Sequence, residues 1–229
     1  MLECKDLVKT YRNKAAVDHL SLQVKPGRIY ALLGPNGSGK TTFMKMAAGL
    51  VKPNSGELLF EGQPIGVYSK AHTAYMPTEA YFYPYMTGAD AGKYYQDFFE
   101  DFDPDKYARL LETMNLDPKQ KVSKMSSGMM AKLKIALNLS RNARLIMLDE
   151  PLNGIDIIAR DKIVDTIIDA FSPEKTIILS SHLVDELEKI IDHAIFIKDG
   201  QMVLAGDAEM LRMERGKSIV ELYKEIYAE

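Results

Sequence analysis

Continuous apolar runs of strand length recur along this chain, and helix-like segments separate them. Residues 29–33, 145–148 and 176–179 are such runs, and they are typical of strands that are buried on both faces of a parallel sheet. Residues 41–50 and the segment near 156–171 have the pattern of helices. Strands that alternate with helices in this way predict an α/β core.

Antiparallel structure is predicted nearer the two ends of the chain. Residues 16–24 alternate apolar and polar positions before a turn at Lys25-Pro-Gly, and a further strand is expected at 56–60. Residues 194–197 and 202–205 flank a Lys-Asp-Gly turn, which indicates a terminal hairpin.

The segment of about 80–140 differs in composition from its surroundings. It begins with many aromatic residues, and Pro84, Pro104 and Pro118 then separate helix-forming stretches. The predicted architecture is therefore an α/β core with an antiparallel β edge subdomain and an inserted helical subdomain. The core covers about 1–79 and 141–229 of a single domain, and the helical lobe covers about 80–140.

Composition excludes few functions but bears on partners and location. The net charge of −3 gives no indication of binding to nucleic acid or to an anionic membrane surface. A single cysteine, Cys4, excludes an internal disulfide and is compatible with a reducing cytosol. No leader-like segment follows Met1 and no apolar run reaches membrane-spanning length, so any membrane span is expected from another chain.

A phosphate-binding loop follows the first buried strand. Residues 34–41 match the pattern G-x-x-x-x-G-K-[ST], the Walker A motif, between a strand and a helix. The glycines allow backbone N–H groups to approach phosphate oxygens, and Lys40 supplies a positive charge for the β- and γ-phosphates. The Thr41 hydroxyl is a candidate ligand of Mg²⁺. The predicted nucleotide-binding residues are Gly34, Pro35, Asn36, Gly37, Ser38, Gly39, Lys40, Thr41 and Thr42. The motif predicts a nucleoside triphosphatase core of the P-loop type.

Two acidic residues end the second buried strand, as in a Walker B motif. Asp149 and Glu150 would lie at the carboxyl end of this strand, where open α/β sheets bind ligands. Asp149 is predicted to hold Mg²⁺, and Glu150 is predicted to accept a proton from the attacking water.

Together these motifs resemble the ATPase subunit of ABC transporters over nearly the whole chain. Residues 125–129, Met-Ser-Ser-Gly-Met, resemble the family's signature, which contacts ATP bound by a second protomer. By the same resemblance, Asp156 belongs to the loop that crosses the dimer interface. His182 resembles the switch histidine that contacts the γ-phosphate, and Tyr11 holds the place of the aromatic residue that stacks on adenine. The predicted signature residues are Ser126, Ser127, Gly128 and Met129.

Some positions depart from the family pattern. Thr78 stands where the family usually has a glutamine that senses Mg²⁺ and the membrane partner, and the sequence leaves open whether Thr78 or Glu79 takes that role. Ser127 and Met129 replace the usual glycine and glutamine, so contacts to the second ATP are expected to be weaker. Lys40, Asp149 and Glu150 match the family pattern, so an active ATPase is expected.

The resemblance implies a cycle driven by ATP and Mg²⁺. Two ATPase subunits, as a homodimer or a heterodimer, would enclose each ATP between residues 34–42 of one and 126–129 of the other. Closure and reopening would drive separate transmembrane permease subunits, which would place the chain on the cytoplasmic face of the cell membrane. The undecorated chain resembles ATPases of bacterial exporters, but the sequence leaves the cargo and the direction of transport open.

Two other functions remain as alternatives. An ABC-type ATPase with a non-transport role such as cofactor assembly is compatible with the motifs. The segment between Lys40 and Asp149 has no sustained heptads, which disfavours the DNA-maintenance members of the family, and the single domain disfavours those that act in translation. A P-loop kinase or GTPase is disfavoured because the guanine-recognition motif is missing from the sequence and the signature and His182 are present.

Overall fold

The computed structural model describes residues 1–228, which form two β-sheets and nine α-helices. The strands are β1 (Leu2–Tyr11), β2 (Lys14–Val24), β3 (Ile29–Leu33), β4 (Ser55–Phe60), β5 (Gln63–Pro64), β6 (Thr73–Met76), β7 (Leu145–Asp149), β8 (Thr176–Ser181), β9 (His193–Lys198) and β10 (Gln201–Asp207). The helices are α1 (Lys40–Ala47), α2 (Val67–Ala71), α3 (Gly88–Phe98), α4 (Pro104–Thr113), α5 (Ser127–Leu139), α6 (Ile157–Ala170), α7 (Val184–Leu187), α8 (Ala208–Arg215) and α9 (Ile219–Tyr227).

The larger sheet has six strands in the order β10-β9-β3-β8-β7-β6. Its strands run parallel except β10, which pairs antiparallel with β9 as the predicted hairpin. The smaller sheet is antiparallel, with the order β2-β1-β4-β5.

Both faces of the six-stranded sheet are buried, as its continuous apolar strands predict. Along β3, Tyr30 and Leu32 point into a core shared with the antiparallel sheet and α1. Ala31 and Leu33 point to the opposite face and pack in a second core with the helices. Successive strand residues point to opposite faces, so one short strand contributes to both cores.

The helices α3, α4 and α5 form an insertion, because β6 and β7 are neighbours in the sheet although these helices separate them in sequence. Polar caps begin the helices: Thr87 and Asp90 form a capping box at α3, and the Asp103 side chain accepts a hydrogen bond from Lys106 N–H at α4. The predicted fold class, an α/β core with an antiparallel edge and a helical insertion, is confirmed.

Several features differ from the sequence prediction. Helix α1 ends at Ala47 rather than near residue 50, because Gly49 adopts a left-handed conformation with φ 69°. Strand β6 was not predicted, since four residues give too short a pattern. The hairpin is not terminal, because α8 and α9 follow it. Helix α9 packs back on the sheet, where the Tyr227 hydroxyl donates to the carbonyl oxygen of Ile197 in β9 over 2.8 Å. Within residues 1–228, no helix is long and apolar enough to cross a membrane.

Candidate active site

Three neighbouring parallel strands end at one edge of the larger sheet, and each is followed by predicted site residues. Gly34 follows β3, Glu150 follows β7, and His182 follows β8. Because the carboxyl ends of parallel strands meet at the same edge, residues distant in sequence come together there.

The P-loop, residues 34–41, leads from β3 into the first turn of α1, which begins at Lys40. Gly39, which precedes the helix, has φ 111°, and a Cβ atom there would clash with the carbonyl oxygen of Ala16. The Lys40 ammonium is buried and donates to the carbonyl oxygens of Gly34 (2.7 Å) and Pro35 (3.2 Å). Burial lowers the pKa of Lys40, and the nearby Glu150 carboxylate opposes this effect. The ammonium therefore lies inside the loop where phosphate would bind.

The Asp149 carboxylate is fully buried and accepts hydrogen bonds from three hydroxyl groups, one of which is that of Tyr75, 3.5 Å from Oδ2. Thr41 Oγ1 donates to Asp149 Oδ1 over 3.1 Å, and Ser180 Oγ donates to the same oxygen over 2.5 Å. The predicted metal ligands Thr41 and Asp149 are thus in direct contact. Hydroxyl and carboxylate oxygens are the donors that Mg²⁺ prefers.

The Glu150 carboxylate lies between two groups that the sequence predicted to be catalytic. Its Oε2 atom is 2.9 Å from His182 Nδ1, and its Oε1 atom is 3.4 Å from Lys40 Nζ. Glu150 has φ 51°, which is rare for a residue with a side chain, and its N–H donates to Ser180 Oγ over 2.9 Å. The surrounding contacts hold this unfavourable backbone conformation and direct the carboxylate toward Lys40.

A cavity of about 530 Å³ opens between the P-loop and Glu150. It is lined by Lys14, Ala16, Asn36, Gly37, Gly39, Lys40, Thr41, Thr42, Thr78, Glu79, Glu150 and Asn153. Among the described residues, Ser38 Oγ and Glu150 Oε1 are buried at this site without a hydrogen-bond partner. No cluster of three or more His, Cys, Asp or Glu residues within 1–228 could hold a metal alone. The donors present therefore suit Mg²⁺ that is bound partly by the phosphates of a nucleotide.

Tyr11 lies beside this cavity rather than in its wall. It is the last residue of β1 and pairs with the cavity residue Lys14 across a tight turn. Its side chain is 46% exposed, so it is not a core residue, and the Lys9 ammonium lies 5.3 Å from its ring centroid.

The signature residues lie outside the P-loop cavity of their own chain. Ser126 and Ser127 are exposed at the start of α5, where the Ser126 hydroxyl accepts a hydrogen bond from Met129 N–H. A Cβ atom at Gly128 would come within 3.2 Å of the Gly154 carbonyl oxygen, so the signature packs on the loop that follows Glu150. Asp156, also exposed, caps α6 by accepting from Ala159 N–H.

Thr78 and Glu79 both line the P-loop cavity, but the Glu79 carboxylate is paired with Lys45 Nζ over 3.0 Å. The Lys45 hydrogen bond lowers the pKa of Glu79. The hydrogen-bond donors to the Asp149 carboxylate within residues 1–228 are Thr41, Tyr75 and Ser180, so neither Thr78 nor Glu79 is among them.

Several residues of the site received no role in the sequence prediction, among them Tyr75, Asn153, Ser180 and Lys134. Ser180 received no role, although a polar residue at the end of a buried strand beside the Walker B strand was a usable signal. Lys134 interrupts the apolar run 133–137 of α5, and its ammonium donates to the carbonyl oxygens of Pro77 and Thr78.

Comparison with known proteins identifies many similar sequences. A family model described as ABC transporter matches residues 17–153. An uncharacterized ABC transporter ATP-binding protein of Nostoc sp., all4389, is 33% identical over 90% of this chain, which spans 66% of that relative's length. The Nod factor export ATP-binding protein I of Cupriavidus metallidurans is 31% identical, and the match covers 97% of this chain and 77% of the relative. The lantibiotic transport ATP-binding protein SrtF of Streptococcus pyogenes is 32% identical over 89% of this chain and 90% of its own.

Solved structures share the fold. An ATP-binding subunit of an ABC transporter superposes with a TM-score of 0.87 at 25% identity, and the match covers 98% of each chain. The ATP-binding cassette MJ0796, a dimer in a post-hydrolysis state bound to ADP and Pi, superposes with a TM-score of 0.81 at 20% identity over 90% of this chain and 98% of its own.

Proposed function

The chain belongs to the ABC transporter family, and we propose that it is the ATP-hydrolysing subunit of an exporter whose membrane-spanning subunits are separate chains. The observation that carries this proposal is the position of the Glu150 carboxylate, which lies between Lys40 and His182 in the wall of the P-loop cavity. A binding module would need the P-loop but not a glutamate held beside it.

In this proposal each site residue has a separate task. Lys40 and the P-loop N–H groups bind the phosphates of ATP, while Thr41 and Asp149 hold Mg²⁺. The metal neutralises phosphate charge when it is bound. Glu150 accepts the proton of the attacking water, and His182 orients Glu150 and reaches toward the γ-phosphate. Catalysis then depends on positioning and electrostatics, without covalent attachment to the protein.

A second ATPase subunit, identical or related, completes the site. The cassette MJ0796 is similar in fold and is itself a dimer. Ser126 and Ser127 are exposed, as is the segment 156–158, in which Ile157 and Ile158 are 73% and 90% exposed. We propose that these residues meet the partner subunit, so that residues 126–129 of one chain cover the ATP bound at residues 34–42 of the other.

ATP is the proposed nucleotide, with Tyr11 as the stacking surface for adenine. Replacing Tyr11 with alanine is expected to weaken ATP binding about tenfold or slightly more, since stacking on one aromatic side chain contributes roughly 1–3 kcal/mol. Equilibrium binding of a fluorescent ATP analogue measures the change. Tyr94→Ala removes a similarly exposed tyrosine from α3 and should leave binding unchanged. Equal affinities for the Tyr11 variant and the wild type would show that Tyr11 does not contact the base.

The proposed docking surface for the membrane subunit is the aromatic segment 81–85. Tyr81, Tyr83 and Tyr85 are 39%, 56% and 69% exposed, and the rings of Tyr83 and Tyr85 stack 5.5 Å apart. A neighbouring groove of about 370 Å³ runs between Leu50 and Tyr81. Exposed aromatic clusters are typical of interfaces, and this cluster belongs to the helical lobe of about 80–140. Docking here would hold the chain at the cytoplasmic face of the cell membrane.

Co-purification from native membranes tests both the transporter role and this surface. The tagged chain is expected to retain a polytopic membrane protein, and Tyr83→Ser/Tyr85→Ser should weaken that association by about tenfold or more. Met210→Ser/Met213→Ser, which removes an exposed pair from α8, is the control and should retain the partner. Retention of soluble enzymes alone would instead support the alternative role in cofactor assembly.

A further inference from the structure

Lys134 is a buried cation that the proposed mechanism does not use. Its side chain is 5% exposed, and Nζ donates to the backbone carbonyl oxygens of Pro77 (2.8 Å) and Thr78 (2.7 Å). These carbonyl groups belong to the loop that joins β6 to the helical insertion. The contact therefore connects α5 directly to that loop.

Placing a charged lysine at this position carries an energetic cost. Burial lowers the pKa of Lys134, whereas the charges of Glu79 and Asp149 raise it. An apolar side chain of similar length would fill the same space without loss of hydration. Packing alone therefore does not explain a lysine here, but a need to hold two carbonyl groups does.

The loop that Lys134 holds is part of the wall of the ATP site. Thr78 and Glu79 line the P-loop cavity together with Lys40 and Thr41. The loop is also held from the opposite side, because Glu79 is paired with Lys45 of α1. The loop is thus fixed between the helix that follows the P-loop and the helix that carries Lys134.

The same helix carries the signature at its N-terminus. Lys134 lies seven residues after Ser127, so the two are on one face of α5 and about 10 Å apart along its axis. A second cavity, of about 350 Å³, lies between them and is also lined by Thr78, Glu150 and Asn153. A movement of the loop at Thr78 would therefore be transmitted by a rigid helix to residues 126–129.

We propose that Lys134 is a positioning residue that couples the two ATP sites of the dimer: it ties the loop beside this chain's own ATP to the helix that presents the signature to the partner's ATP. The connection consists of hydrogen bonds to the backbone carbonyl groups of Pro77 and Thr78, so it does not depend on the short side chain of Thr78. This inference rests on the proposed ATPase function and on the dimer.

The test replaces Lys134 with methionine, which keeps the length of the side chain and removes its donors. Binding of a fluorescent ATP analogue should change by less than about twofold, because the Lys134 ammonium donates to the carbonyl groups of Pro77 and Thr78 and not to the P-loop. The steady-state kcat for ATP hydrolysis should fall by about 5- to 150-fold, which corresponds to losing a typical coupling free energy between sites from the closed state, and positive cooperativity of the wild type in ATP should be lost. The KM should change little.

A second measurement does not depend on activity. Amide hydrogen exchange of residues 126–130 is followed at a protein concentration below that of dimer formation, with and without Mg²⁺-nucleotide. In the wild type, nucleotide at the P-loop should change the exchange of this segment, and in Lys134→Met the change should be lost. If the wild type binds nucleotide but does not hydrolyse it, the proposed ATPase function fails, and the exchange experiment still reports on Lys134.

Two further variants make the test specific. Lys132→Met removes a partly exposed lysine from the same helix and should behave as the wild type. Lys134→Arg keeps a cationic donor and should retain most of the coupling. It also tests the proposal when the methionine variant does not fold. The proposal is overturned if Lys134→Met keeps the wild-type kcat, Hill coefficient and exchange response. It is equally overturned if nucleotide binding is lost, or if a folded arginine variant has lost the coupling.

Discussion

The Glu150→Gln variant is expected to hydrolyse ATP about 10²–10⁴-fold more slowly than the wild type, the loss typical of removing a general base. Glutamine keeps the size of the side chain and its contact with His182 Nδ1 but cannot accept a proton from water. ATP binding should persist or strengthen, because the Lys40 ammonium would no longer have a carboxylate 3.4 Å away. The rate of phosphate release at saturating ATP measures the effect.

The block in hydrolysis should also make the closed dimer accumulate. Wild-type and variant proteins are compared by light scattering with ATP, and the variant is expected at twice the monomer mass. Glu112→Gln is the control, because it makes the same chemical change at an exposed position of α4 that does not line the P-loop cavity, and its rate should stay close to that of the wild type. A Glu150→Gln protein with the wild-type rate would exclude Glu150 from the water-activating role.

Much of the fold was predictable because its main signals are local. The apolar runs of β3, β7 and β8 and the glycine-rich loop after β3 each depend on a few adjacent residues. The nearness of the carboxyl ends of β3 and β7 was expected from chemistry, since the P-loop and the Walker B acids must meet in space, whereas the position of β8 between these strands was not predicted. The structure accordingly brings Thr41 and Asp149 into contact, although they are distant in sequence.

What escaped prediction depends on contacts between segments that have no shared local pattern. Ser180 was visible as a polar strand end, but only the packing of β7 beside β8 places its hydroxyl between Asp149 and Glu150. Lys134 looked like one of several lysines in a helix, and only the fold shows that its ammonium is buried against the loop at Thr78. The C-terminal helices α8 and α9 were missed although their start signals are local: Asp207 caps α8, and Ser218 and Glu221 form a capping box at α9.

The Asp149→Asn variant is expected to lose Mg²⁺-dependent nucleotide binding as well as activity. Asparagine can still accept hydrogen bonds from Thr41 and Ser180, so the fold should be retained, but the negative charge is lost from a fully buried position. If Asp149 acts on the metal through bound water, apparent Mg²⁺ affinity in the presence of ATP should fall about 10–100-fold, and the ATPase rate should fall with it. Binding of ATP without Mg²⁺ should stay within about twofold, because the P-loop is intact.

A titration of Mg²⁺ at fixed ATP analogue, followed by fluorescence, separates this effect from the loss of a base. Glu150→Gln should show the wild-type Mg²⁺ dependence, whereas Asp149→Asn should require far more metal to reach the same binding. Tyr75→Phe removes the hydroxyl group that lies 3.5 Å from Asp149 Oδ2 but leaves the carboxylate charge, and it should titrate as the wild type does. An unchanged Mg²⁺ dependence in Asp149→Asn would assign the metal to Thr41 and the phosphates alone, and would leave Asp149 with the structural task of orienting the Thr41 and Ser180 hydroxyls.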